Sequence, residues 1–370
     1  MHFVCSARRA NDPEQKLLES QERYSLTMST TFAATGAASS GITLDRKTLK
    51  ALSRRSDLPG LIYLAKWLLA LLVSGYGVYL GLGTLWVWPA MLIYGTVLSV
   101  PVYAMSHETA HGTAFRTRWL NETVMWVCAL LYLEEPLHRR YTHTNHHTYT
   151  WHVGKDCQMP FDTPMTFPTW LLEVTGFALT RSHLRMLIQL ATARYTETMK
   201  SVIPTDEFPR LRRNAWCFLG FYIAIGVAIA LGATWLWWFL VLPTLLGRSV
   251  MLLMTLIQHV EMAENSPSIL NSTRSCQSSP IASFLYLNME NHVEHHLYPQ
   301  VPFFALPALH RELKDQLPTP DPGFWRTNLE VLSVVIRRSL GRNTKAWTIR
   351  QAPHMVTDGG PVAKISERSM

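Results

Sequence analysis

The residues of this 370-residue chain best suited to chemistry are its histidines. Nine of the fifteen stand in four places: His107 and His111 in HETAH, His143, His146 and His147 in HTNHH, His292, His295 and His296 in HVEHH, and His259 in QHVE. On a helix, positions i, i+3 and i+4 share one face, so each cluster can aim its imidazoles at one point. A structural zinc takes four ligands and a catalytic zinc three. Nine ligands exceed what one ion uses, whereas two ions of four or five ligands each account for the set. Neutral imidazole suits iron, copper, nickel and zinc alike, so nitrogen donors do not name the metal. HETAH also fits the H-E-x-x-H zinc protease motif, whose glutamate is a general base, but that reading leaves both H-x-x-H-H clusters idle. Glu135 and His138 match the E-x-x-H of carboxylate di-iron bundles, which needs two copies; only one is present, with a proline inside it. Glu108 and Glu294, each beside a clustered histidine, read as acceptors that fix an imidazole, while His138 and His152, which flank the second cluster, read either as plain surface or capping residues or as further supports. His2, His183, His310 and His354 read as isolated surface or capping residues. Five scattered cysteines without a C-x-x-C pair indicate neither a disulfide framework nor a zinc ribbon, and a reducing compartment is the default.

Something must bring these clusters together, and the composition says what. The chain is 48% hydrophobic and only 16% charged, against about 25% charged in ordinary soluble proteins. These figures exclude collagen, coiled coil and general disorder. Crossing a hydrocarbon core takes about 20 mostly apolar residues, and four stretches qualify: 61–82, 84–105, 214–232 and 234–258. Lys66 lies near the start of the first, where it can snorkel, and Arg248 is expected to mark where the fourth leaves the bilayer. The turns near Gly83 and Ala233 are too short to be anything but hairpin tips, and they hold no Lys or Arg. By the positive-inside rule both termini, the central loop and the histidines are expected on the cytoplasmic side. The net charge of +8 then serves membrane anchoring, and no nucleic-acid partner is expected. A near repeat supports this layout: the second and fourth stretches run out into histidines, and an H-x-x-H-H cluster follows 32 residues after His111 and 33 after His259. Transporters place ionisable ligands at mid-bilayer on interrupted helices, so a histidine-rich metal carrier fits poorly.

The remaining segments fill in around this frame. The apolar run 119–133 is too short to span and contains Glu122, so it is expected at the interface or packed within the cytoplasmic part. The loop 151–213, rich in Arg, Thr and Pro, is expected along the headgroups. Residues 1–60 lack the apolar run of a signal peptide and read as a disordered leader, with Met28 as an alternative start; 318–370 read as a cytoplasmic tail. The expected fold is an all-α integral membrane protein: four transmembrane helices in two hairpins, under a helical cytoplasmic cap that holds a dinuclear metal site, within 61–317.

HETAH, HTNHH and HVEHH resemble the three histidine boxes of the membrane fatty acid desaturase and hydroxylase superfamily. The stretch ENHVEHHLYPQVPFFALPALHREL, Glu290 to Leu313, is similar to its carboxy-terminal signature. The resemblance covers roughly Leu61 to Leu317, and its wording is similar to a bacterial branch that includes rhizopine-catabolism oxygenase-like proteins and dihydrorhizobitoxine desaturase. It implies two iron ions held by His107, His111, His143, His146, His147, His259, His292, His295 and His296, with O2 as co-substrate. Where one eukaryotic branch has an asparagine holding a metal-bound water, this chain has Thr255, so that role is not carried over. The implied reaction is desaturation of an aliphatic segment, in an acyl chain or a small amino-acid-derived compound; hydroxylation is the alternative outcome. The chain contains no His-Pro-Gly-Gly haem module and no rubredoxin, so a separate electron donor such as a ferredoxin, with its reductase, is expected. Membrane lipid is the other expected partner, and a bacterial inner membrane the expected location.

Overall fold

The computed structural model describes residues 40–159 and 161–342. His2, His354 and the alternative start at Met28 lie outside the described residues. The α-helices there are α1 Arg46–Leu52, α2 Asp57–Gly81, α3 Val87–Ala110, α4 Arg118–Tyr132, α5 Pro136–Tyr149, α6 Phe167–Val174, α7 Phe177–Ala191, α8 Glu197–Val202, α9 Phe208–Ala230, α10 Leu242–Leu256, α11 Ile269–Ser272, α12 Pro280–Leu285, α13 His292–Leu297, α14 Leu306–Leu313 and α15 Phe324–Ser339. The fold is all-α, and four helices are long and apolar enough to cross a membrane: α2, α3, α9 with the short turn before it, and α10 with the π turn Trp237–Val241 at its start.

The helix bounds depart from the hydropathy in instructive places. α3 runs to Ala110 rather than to 105, so His107 sits inside the helix. α9 begins at Phe208, well before 214, because Pro209 in its first turn favours a start there and the basic residues that follow are compatible with helix. Of the expected leader, residues 40–60 are described, and they pack into the fold. Asp45 caps α1 by accepting from the Thr48 N–H at 2.9 Å, and Ile42 is buried with Leu309 and Leu313. Beyond 317, Phe324, Val331 and Val335 of α15 are part of the main core, so the fold continues through that helix.

α3 and α10 cross with their backbones in contact. A Cβ on Gly247 would stand 1.9 Å from the Gly95 carbonyl oxygen, and one on Gly95 would stand 2.2 Å from that of Pro243. Small residues are what let two membrane helices approach this closely. Arg248, next along, does not mark an exit into water: it is 2% exposed, donates to the Tyr132 carbonyl at 2.9 Å and to the Thr180 hydroxyl, and so ties α10 to α4 and α7. The apolar run 119–133 forms α4, packed against α3 through a face that includes Met125, Cys128 and Tyr132.

Candidate metal centre

Three helices and one turn deliver the nine histidines. His107 lies in the last turns of α3, and His111 caps its end. α5 carries His143, His146 and His147; α13 carries His292, His295 and His296; His259 stands just beyond α10. Glu135 starts α5, its carboxylate accepting from the His138 N–H and from Asn214 Nδ2, both at 2.6 Å. The E-x-x-H pair is therefore a helix cap.

The structure brings all nine together as two neighbouring groups. His107, His111, His143, His147 and His295 form one, and His146, His259, His292 and His296 the other; within each, the potential ligand atoms lie within 4.8 Å of one another. His146 and His147 are adjacent in sequence yet serve different groups, as do His295 and His296. The rings of His147 and His296, one from each group, stack at 4.2 Å. In the first group the Nε2 atoms of His143 and His111 stand 3.0 Å apart, those of His147 and His143 3.1 Å, and those of His295 and His147 3.2 Å. In the second, His292 Nε2 is 3.1 Å from both His259 Nε2 and His296 Nε2.

These spacings fit ligation of a metal. Two nitrogens each about 2.1 Å from one ion are about 3.0 Å apart at a right angle. The outer ring nitrogens support the same reading. His146 Nδ1 meets Asp156 Oδ2 at 2.9 Å, His143 Nδ1 meets Gln158 Oε1 at 3.0 Å, and His259 Nδ1 meets the Ser272 carbonyl at 2.9 Å. With the proton held at Nδ1, each Nε2 presents a lone pair inward. A lone pair cannot donate to another lone pair, whereas a shared cation satisfies all of them. Both nitrogens of His107 are likewise buried without a hydrogen-bond partner.

Burial keeps seven of these rings neutral. It pushes His111 and His259 down to about 3, and His143, His147, His292, His295 and His296 well below the ordinary imidazole range, with neighbouring histidines adding to the effect. Neutral imidazole is the ligating form. Burial alone would raise the Asp156 carboxyl, but contact with His146 and N–H donation from Gln158 and Trp151 bring it below its ordinary value. Behind the centre, Arg139 lies one turn before His143, pairs with Glu134 at 3.0 Å and stacks over the Tyr103 ring at 4.9 Å.

Several supporting roles differ from those expected. Glu108 Oε1 accepts from the Thr113 hydroxyl at 2.5 Å and the Phe303 N–H at 3.1 Å, not from an imidazole of the centre. Glu294 accepts from Ser275 at 2.7 Å and from His310. Both carboxylates thus lock the histidine-bearing helices to surrounding chain. His310 is no isolated surface residue, and its Glu294 contact raises it above the ordinary imidazole value. His183 is buried, with Nδ1 3.2 Å from the Tyr132 carbonyl. His138 lies 3.7 Å from Glu134, and His152 Nδ1 is 3.1 Å from the Thr150 carbonyl. Asp156 and Gln158 went unnoticed in the sequence: they reach the centre because the chain reverses through left-handed Trp151 and Gly154, and no spacing rule encodes that.

A family model described as fatty acid desaturase matches residues 83–328. The chain belongs to the fatty acid desaturase family. That stretch contains all nine histidines and reaches into α15. No curated protein matches the chain. Membership, the four apolar helices and the imidazole clusters make this desaturase-family chain an integral membrane oxidoreductase of the desaturase and hydroxylase type, with histidines able to hold metal.

Proposed function

We propose that the protein is an O2-dependent non-haem di-iron desaturase that introduces a carbon–carbon double bond into an aliphatic segment. The observation that carries this reading is the division of nine buried or half-buried imidazoles into touching groups of five and four. Two adjacent ions are what such a division serves, and the family supplies the expectation of iron. His107, His111, His143, His147 and His295 would hold one ion, and His146, His259, His292 and His296 the other. Bound there, iron supplies what side chains lack, the activation of dioxygen for removal of hydrogen from an unactivated C–H bond. The protein's own part is to fix ligand tautomers through Asp156, Gln158 and Ser272 and to keep seven of the rings neutral by burial. Overall, one O2, two electrons and two protons convert a –CH2–CH2– unit into –CH=CH– and two waters.

The substrate is an acyl chain or a small amino-acid-derived compound with an aliphatic segment. The electrons come from a separate acidic carrier such as a ferredoxin, drawn to basic residues on the cytoplasmic face. That orientation, in a bacterial inner membrane, follows the positive-inside distribution of Lys and Arg. The decisive experiment is metal analysis of the protein purified in mild detergent, followed by turnover with reduced ferredoxin. About two irons per chain and an alkene product are expected. One zinc per chain with no iron retained after reconstitution would overturn the proposal, and an alcohol as sole product would make the enzyme a hydroxylase.

A further inference from the structure

The outer face of α7 carries a groove distant in role from the metal centre. The inner face of this helix buries Met186, Leu187 and Leu190, which pack with Leu211, Ala215 and Phe218 in the opening turns of α9. Since α9 belongs to a helix long and apolar enough to cross the bilayer, α7 lies beside the point where the chain enters the membrane. The opposite face exposes apolar side chains, with Phe177 63%, Ile188 52% and Leu184 37% accessible. Among them stand Arg181 and Arg185, and together with Arg194 these residues line a groove of about 600 Å³ in which no carboxylate takes part.

We propose that this groove binds an anionic phospholipid. Arg181, Arg185 and Arg194 hold the headgroup phosphate, and an acyl chain lies along Phe177, Leu184 and Ile188. Guanidinium is the side chain best matched to phosphate, through paired N–H donors. An apolar face rimmed with arginine is the pattern of a helix lying in the membrane interface. Inorganic phosphate would satisfy the arginines but leave the apolar strip in water, and a zwitterionic headgroup brings an ammonium that three guanidinium groups repel. An acidic protein could pair with the arginines, but it does not account for an apolar strip placed beside a membrane helix.

The test uses the full chain in nanodiscs of phosphatidylcholine containing a minor share of phosphatidylglycerol, extracted in mild detergent, with retained lipids counted by native mass spectrometry. The wild type should retain phosphatidylglycerol over phosphatidylcholine. The triple variant Arg181→Gln, Arg185→Gln, Arg194→Gln should lose that retention by about tenfold or more, since each basic residue near an anionic surface contributes measurably to binding. Leu184→Ser with Ile188→Ser, which keeps the charge, should weaken it as well. Substituting Arg46, Lys47 and Lys50, exposed elsewhere, by Gln should not. All substituted side chains are exposed, and unchanged helical circular dichroism verifies the fold. Equal retention of the two lipids, an equal loss in the Arg46, Lys47, Lys50 variant, or full displacement by inorganic phosphate would overturn the proposal. So would unchanged lipid retention in the triple variant accompanied by slower reduction by ferredoxin, which would make the groove a donor-docking surface.

Discussion

Asp156 holds His146 by its Nδ1 proton while accepting N–H bonds from Trp151 and Gln158, so its loss frees both a ligand and the loop that turns back on it. Removing such an outer partner typically costs 10–100-fold in metal affinity, and Asp156→Ala is expected to lose metal by about that factor. Chelator titration with metal analysis checks it; retention equal to wild type would remove Asp156 from the site. The buried rings carry a second expectation. His183 is held down to about 4, and His111 and His259 to about 3, by burial, against about 6.5 in an unfolded chain. Between these values the unfolded state binds more protons than the folded one, so stability falls as pH falls. The metal-free protein should therefore melt at lower temperature at pH 5 than at pH 7, by thermal denaturation followed with circular dichroism. The nine histidines were legible in the sequence because helical spacing puts them on shared faces. Glu108 and Glu294 do not hold the clustered imidazoles beside them, because an immediate neighbour on a helix points about 100° away; Glu294 accepts from His310 instead.

The crossing of α3 and α10 places His107 and His259, and it depends on two glycines. Gly247→Ala would drive a methyl into the Gly95 carbonyl, and such overpacking costs about 1–3 kcal/mol. It should lower the melting temperature in detergent and reduce metal retention together. Gly226→Ala is the matched control: nothing lies within 4 Å of its Cβ position, so it should be neutral or mildly stabilising, by up to about 1 kcal/mol. Equal effects of the two substitutions would mean that the contact does not position the centre. Hydropathy revealed the four helices, but not that Gly247 seats α10 against α3 or that Arg248 ties α10 to α4 and α7. Hydropathy sums transfer preferences one residue at a time, whereas backbone approach and a buried guanidinium satisfied by Tyr132 and Thr180 are properties of pairs.

Across the whole molecule, the two histidine groups draw on α3, α5, the turn after α10, and α13, and so join both apolar hairpins to the chain between and after them. The near repeat already hinted at this arrangement, but not at the exchange in which His146 leaves its helix neighbours for His259 and His292 while His295 joins His107. A cation held by ligands from different segments binds only the folded chain. On the proposed two-ion reading, each ion at roughly 100 times its Kd therefore adds about 2.7 kcal/mol to stability. Exhaustive chelation should lower the melting temperature by several degrees or more and raise amide exchange first in α13 and at residues 257–262, which carry His292, His295, His296 and His259. The two sites should also empty at different rates. The four-histidine group is wholly buried, whereas His111 and His147 of the five-histidine group are partly exposed, so chelator reaches the latter first. Metal release followed over time should show two phases, with His111→Ala altering the fast one and His259→Ala the slow one. A single phase in the wild type would mean that the ions leave only when the whole assembly opens, and that access through His111 and His147 does not govern exchange.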